Sequence, residues 1–317
     1  MQRRTFLGSL LATPCILNWS LAADALPKRI IDTHQHLWDL KRQRLPWLSG
    51  APEILRNRFD LEEYRTATSG LPVEAIYMEV DVHDEDLDSE VAYVVKASQE
   101  RNPTRGAVIG GRPGGPGFND YLQRHKANSE IKGLRRVLHT DATPPGTCRQ
   151  PAFIKDMQRL GEIGWSFDLC MRPTELDDAE HLVGQCPGTR FVLDHCGNPD
   201  LQAWQPAVAG KPPKHTANEW MQSIDRLAKR PNVICKISGV IANLPQGAGP
   251  EYLAPAINHC LNSFGPDRVV FGGDWPVCLL GAPLKTWIEM LTQIIASRPE
   301  QERDKLWWRN AASFYRV

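Results

Sequence analysis

The stretch Ile31-Asp-Thr-His-Gln-His36 closes an apolar run with two histidines one residue apart. In an extended strand, residues two apart point to the same side, so His34 and His36 project together at the strand's C-terminal end. Two imidazoles on one face can share a metal ion or grip one substrate oxygen. A His-x-His pair also occurs as surface or packing histidines, so its weight depends on what lies downstream. Two more polar residues end apolar runs: His195, after Asp194, and Asp274, after Gly272-Gly273.

The elements that must position these residues are legible as a rhythm. Eight apolar runs rich in β-branched residues fall at Arg29 to Thr33, Glu74 to Glu79, Arg105 to Gly110, Ile131 to Val137, Trp165 to Cys170, Arg190 to His195, Asn232 to Ser238 and Arg268 to Gly273. They are continuous rather than alternating in polarity, which suits parallel strands buried on both faces. Stretches of helical period lie between most of them: Asp86 to Glu100, Gln150 to Leu160, Glu175 to Gln185, Ala217 to Lys229, Tyr252 to Phe264 and Leu284 to Ile295. Such units over roughly 290 residues predict a single-domain α/β protein, a closed (β/α)8 or TIM barrel. An open doubly wound sheet is the competitor, but no Gly-x-Gly-x-x-Gly turn follows an early strand. A barrel places chemistry at the C-terminal ends of its strands, and His34, His36, His195 and Asp274 fall there. Read separately, His195 is equally a turn cap and Asp274 a helix N-cap. Four such coincidences favour a common site.

Composition narrows the partners. Lys plus Arg and Asp plus Glu each number 37, so no basic excess points to a nucleic-acid surface. After residue 25, no apolar run approaches the ~20 residues of a membrane span. The expected partner is a small-molecule substrate, and a homo-oligomer stays open. Arg3-Arg4 precede Thr5-Phe6-Leu7 and an apolar stretch to Leu21, and Ala23-Asp24-Ala25 offers a small-x-small cleavage site. Residues 1–25 therefore resemble a twin-arginine export signal, which predicts a periplasmic or secreted mature chain of residues 26–317. The seven later cysteines show no Cys-x-x-Cys spacing and read as small buried thiols, with a Cys148–Cys186 bridge left open.

Four segments together resemble a known family: Ile31-Asp-Thr-His-Gln-His-Leu-Trp-Asp39, Phe191-Val-Leu-Asp-His-Cys-Gly-Asn198, Val233-Ile-Cys-Lys-Ile-Ser-Gly239, and Phe264-Gly-Pro-Asp-Arg-Val-Val-Phe-Gly-Gly-Asp-Trp-Pro-Val-Cys278. They are similar to the lactonase branch of the amidohydrolase superfamily, with its L-fuconolactonases, L-rhamnonolactonases and 2-pyrone-4,6-dicarboxylate lactonase. The resemblance runs from Ile30 to Tyr315 and implies an active site of His34, His36, His195 and Asp274. In metal-dependent relatives these side chains bind one divalent cation, usually zinc, while some lactonases of the branch work without it. Three histidines and a carboxylate suffice for one zinc ion with an open water position. Strand five ends without a histidine and strand four offers no lysine suited to a carbamate, so a binuclear centre is not expected.

The resemblance implies a hydrolase in which Asp274 activates water against a lactone or other cyclic ester while the histidines, directly or through zinc, polarise the carbonyl. Arg135 and His139, at the end of strand four, lie in a stretch similar to one where a basic side chain meets the substrate acid; a surface ion pair is the alternative for the arginine. Arg172 after strand five is a further pocket candidate. Glu79 stands where sugar lactonases commonly have glutamine, which removes donors and adds charge at an expected substrate contact. Lys236, Trp38 and Trp275 are the remaining pocket candidates. Two other functions stay open: a metal-dependent decarboxylase using the same residues, and a periplasmic binding protein on a barrel scaffold.

Overall fold

The computed structural model describes residues 26–206 and 211–317, so the export signal lies outside the described residues. Eight parallel strands follow one another in sequence order: β1 (Ile30–Gln35), β2 (Val73–Met78), β3 (Thr104–Gly110), β4 (Ile131–Val137), β5 (Ser166–Cys170), β6 (Arg190–Leu193), β7 (Val233–Ile237) and β8 (Val269–Phe271). Helices connect them: α1 (Leu61–Ala67), α2 (Leu87–Glu100), α3 (Phe118–His125), α4 (Pro151–Glu162), α5 (Leu176–Gln185), α6 (Ala217–Ala228), α7 (Pro250–Phe264) and α8 (Leu284–Ile294). The chain finishes in α9 (Glu300–Asp304), a π-helical turn and α10 (Asn310–Tyr315). All eight expected strands are present, and the fold is the (β/α)8 barrel that the rhythm predicts.

Closure between the first and last strands rests on a seam built largely by side chains. Asp32 accepts from the Gly273 backbone N–H at 2.6 Å, from its own strand at His34 N and from Tyr64 of α1 through the phenol. Thr33 donates to Phe271 O at 2.6 Å, and His36 N to Trp275 O at 2.9 Å. Trp275 packs edge-on against Phe59 and Tyr64, so its role is to close this seam.

Side-chain alternation divides each strand between two layers. Outward residues such as Tyr77, Ile109, Phe167, Leu193 and Phe271 meet the helices in a large apolar shell. Inward residues Ile31, Ile76, Met78, Val108 and Val270 form a smaller floor, covered by Ala311 and Tyr315 of α10. The barrel interior above that floor is polar, with Lys236, Asp168, Asp194, Arg135 and His34 all buried.

The expected sixth strand stops two residues early. Asp194–Gly197 form a tight turn in which His195 and Cys196 adopt φ of 54° and 55°. Left-handed backbone costs a non-glycine residue on the order of 1–2 kcal/mol. The surrounding packing holds it: the His195 ring lies so close to Gly239 that a Cβ there would overlap it. The seven described cysteines are free and buried, Cys148 and Cys186 included, so no bridge joins that pair.

Candidate active site

At the C-terminal mouth of the barrel a cavity of about 670 Å³ is lined by His36, His195, Asp274, Arg135, His139 and Arg172, among others. Trp38, Trp47 and Leu55, from the loop after β1, wall one side. That loop is pinned by paired backbone bonds between Trp38 and Phe59 and by Trp47 donating to Val80 O. The four residues expected to carry chemistry converge. Asp274 Oδ1 lies 3.4 Å from His36 Nε2 and 3.6 Å from His34 Nε2. The His34 ring centroid is 4.8 Å from that of His36 and 4.5 Å from that of His195. Asp274, like His195, sits at a positive φ, 54°, a strained conformation of the sort that accumulates at functional sites.

Each imidazole is oriented from behind. His36 Nδ1 lies 3.0 Å from Met78 O, which makes Nδ1 the protonated nitrogen and leaves Nε2 free toward Asp274. His195 Nδ1 lies 2.9 Å from Ser238 Oγ. His34 is unlike the others, because both its nitrogens face cations: Lys236 Nζ is 3.2 Å from Nδ1 and Arg135 Nη1 is 3.2 Å from Nε2. A neutral imidazole has one lone pair and accepts only one of these donors at a time. Burial, then Lys236, pushes the His34 pKa well below the usual histidine range. Burial likewise lowers the His195 pKa, which favours the neutral ring in both.

Beneath His34 lies an ionic layer with no access to solvent. Lys236 Nζ is 2.6 Å from Asp168 Oδ2 and 2.9 Å from Asp194 Oδ1. Burial would raise the Asp194 carboxyl, but the Lys236 ammonium outweighs it and holds Asp194 well below the carboxylate range. Burial would also discharge Lys236, and its two carboxylates reverse that. Burial dominates at Asp168, whose pKa is pushed up to about 7. Lys236 was expected among the pocket residues; it supports the cavity floor instead. Its neighbours Asp168 and Asp194 were not singled out, although charged residues within strands buried on both faces are a readable signal.

The four residues expected to meet substrate separate into distinct roles. Arg135 is buried, donating through Nε to Glu79 Oε1 at 2.6 Å and through Nη2 to Glu79 O at 2.8 Å, which leaves Nη1 toward His34 and the cavity. Glu79 does not line the cavity: its second oxygen accepts from Asp81 N, so its carboxylate is spent on anchoring Arg135. His139 lines the wall with Nδ1 3.2 Å from Cys170 Sγ, a contact the sequence reading missed. Arg172 also reaches the wall, but its guanidinium binds Leu138 O, Thr140 O and Thr143 O and pairs with Glu175, which fixes the loop after β4.

Donor chemistry can be tested against a divalent cation. His34, His36 and Asp274 offer atoms all within 4.8 Å of one another, and His34, Asp194 and His195 form a second such buried set. The expected four-ligand group is thus split between two sets that share His34. Two imidazoles and a carboxylate fit one divalent ion with room for water. Arg135 Nη1 at His34 Nε2 is the feature that competes with such an ion.

The barrel carries this His/His/Asp cluster at its C-terminal mouth, where barrel enzymes place their active sites. The chain belongs to the amidohydrolase family, whose model matches residues 31–317. It is 24% identical over 295 residues to an L-fucono-1,5-lactonase from Burkholderia multivorans, covering 90% of this chain and 95% of the relative. It is 23% identical over 226 residues to an L-rhamnono-gamma-lactonase from Scheffersomyces stipitis, covering 64% of this chain and 66% of that one. Among solved structures, an amidohydrolase from Burkholderia multivorans with bound zinc superposes with a TM-score of 0.78 at 23% identity, covering 91% of this chain and 99% of its own.

Proposed function

We propose that this enzyme hydrolyses a lactone or other cyclic ester of a sugar acid or small carboxylate. The observation that carries the reading is the approach of Asp274 Oδ1 to His36 Nε2 and His34 Nε2, 3.4 and 3.6 Å, at the wall of the cavity in the barrel mouth. The lactonase relatives favour this substrate class. Asp274 takes a proton from water as the water oxygen attacks the ring carbonyl. The Nε2–H of His195, whose Nδ1 accepts from Ser238 Oγ, stabilises the oxyanion, and the ring oxygen leaves with the proton that Asp274 returns. Arg135 Nη1 and His139 meet the carboxylate or hydroxyl groups of the substrate. A divalent cation, zinc being the candidate, would be held by His34, His36 and Asp274 and, when bound, would polarise the carbonyl and acidify water.

The test is Asp274→Asn on a panel of aldonolactones, followed by a pH indicator, with CO₂ release measured in parallel on aromatic carboxylic acids. We expect kcat to fall roughly 10²–10⁴-fold, the usual share of a general base, with KM within a few-fold. Full turnover by this variant would overturn the assignment, and CO₂ release without lactone opening would replace hydrolase by decarboxylase. We further propose that residues 1–25 direct export. Replacing Arg3 and Arg4 by lysine should retain the precursor inside the cell, and unchanged secretion would refute this.

A further inference from the structure

Away from the cavity, Cys196, Cys235 and Cys260 bring their sulfur atoms within 4.8 Å of one another, and all three residues are fully buried. They belong to three elements: the left-handed turn after β6, the face of β7 opposite Lys236, and α7, which packs on β7. None lines the cavity, and no other trio of cysteines among the described residues converges in this way. Their surroundings are the apolar shell between strands and helices.

We propose that these three cysteines form a binding site for one soft d10 cation, with Cu(I) as the type ion. Thiol sulfur selects such ions over hard ones, and the trio brings no oxygen ligand that calcium or magnesium would require. Metal–sulfur bonds of about 2.3 Å set the sulfurs of a trigonal site about 4 Å apart, so the trio needs only a small contraction. Binding forms a thiolate–metal bond and releases one proton: Cu⁺ plus a thiol gives a neutral copper thiolate and H⁺. The other two sulfurs complete the coordination as neutral thiols. That neutrality matters, because an apolar pocket does not tolerate an uncompensated charge. Cys196 Sγ gives up a long contact to Lys236 O, 3.9 Å, when it turns to the ion. Cys196 directly follows His195, so the ion sits one peptide unit behind the cavity wall.

The experiment is an anaerobic titration of the fully reduced protein with Cu(I) against a chromophoric Cu(I) chelator, watching the ultraviolet sulfur-to-copper charge-transfer band. Native protein and protein refolded with Cu(I) are both used, so that burial does not hide the site. We expect one equivalent per chain with the band present, at least 100-fold weaker binding in both Cys235→Ala and Cys260→Ala, and no change in Cys148→Ala. Equal binding by wild type and Cys260→Ala, absence of the band after refolding, or a disulfide among the three cysteines in the isolated protein would each overturn the proposal. These readouts are independent of any lactone turnover.

Discussion

Glu90 of α2 is a fully buried carboxyl that forms no ion pair among the described residues, and replacing it with glutamine should make the protein more stable at neutral pH. Its Oε1 accepts from Tyr77 OH at 2.8 Å and from Val80 N at 2.9 Å, while Oε2 has no hydrogen-bond partner among the described residues. Burial, then the neighbouring Glu79 charge, pushes its pKa up to about 7. In the unfolded chain the group titrates near 4.3. The folded pKa being the higher, the native state holds a proton that the unfolded state gives up. Stability is therefore complete below about pH 4 and is lost as pH rises toward 7, at about 1.4 kcal/mol per unit. Between pH 5 and pH 7 the wild type forfeits about 2.2 kcal/mol through this one group. Glu90→Gln keeps the acceptor for Tyr77 and Val80 and removes the titration. Urea unfolding of both proteins at pH 5, 7 and 8 measures it: the variant's advantage should grow by about 2 kcal/mol from pH 5 to 7 and then level off. A constant difference, or one that shrinks as pH rises, would refute the reasoning.

Arg135→Met leaves the Glu79 carboxylate buried without its partner, and should cost about 3–5 kcal/mol in urea unfolding. Adding Glu79→Gln to that variant should recover a large part of the loss; no recovery would mean that the pair is not coupled. Gly239→Ala forces a left-handed φ of 68° on alanine and drives its Cβ into the His195 ring. It should lower kcat at least tenfold, with the far-ultraviolet circular dichroism unchanged, and wild-type kcat would show that His195 is not held by this contact.

How much of this was legible differs by level. The strands were readable because burial on both faces demands unbroken apolar runs, and the convergence of the four candidate site residues because the barrel puts polar residues at strand ends. Helix α1 was not read, although Asp60 and Glu63 form a capping box that announces its start. Helix α3 is a short segment behind a glycine-rich turn, and its period is too brief to stand out. The split of the substrate group was illegible for another reason. Glu79 and Arg135 lie 56 positions apart, and only the register of β2, β3 and β4 brings them to a 2.6 Å contact. Lys236 was visible as a charge within a strand, but whether it faced the cavity or the layer below depends on side-chain height in the barrel. No periodicity encodes that.

The seam between β1 and β8 has a consequence for how activity is acquired. Asp32 and Gly273, joined across it, are 241 positions apart, so this is among the longest-range contacts the chain makes. Contacts of that separation form late, because the entropy of closing so large a loop is repaid only once the intervening elements are in place. His34 and His36 stand on one side of the seam and Asp274 on the other. A folding chain can hold most of its helices and seven paired strands while these groups remain far apart. In refolding from urea, circular dichroism should therefore return before catalysis, and a nascent chain stopped before β8 carries a barrel wall without an enzyme.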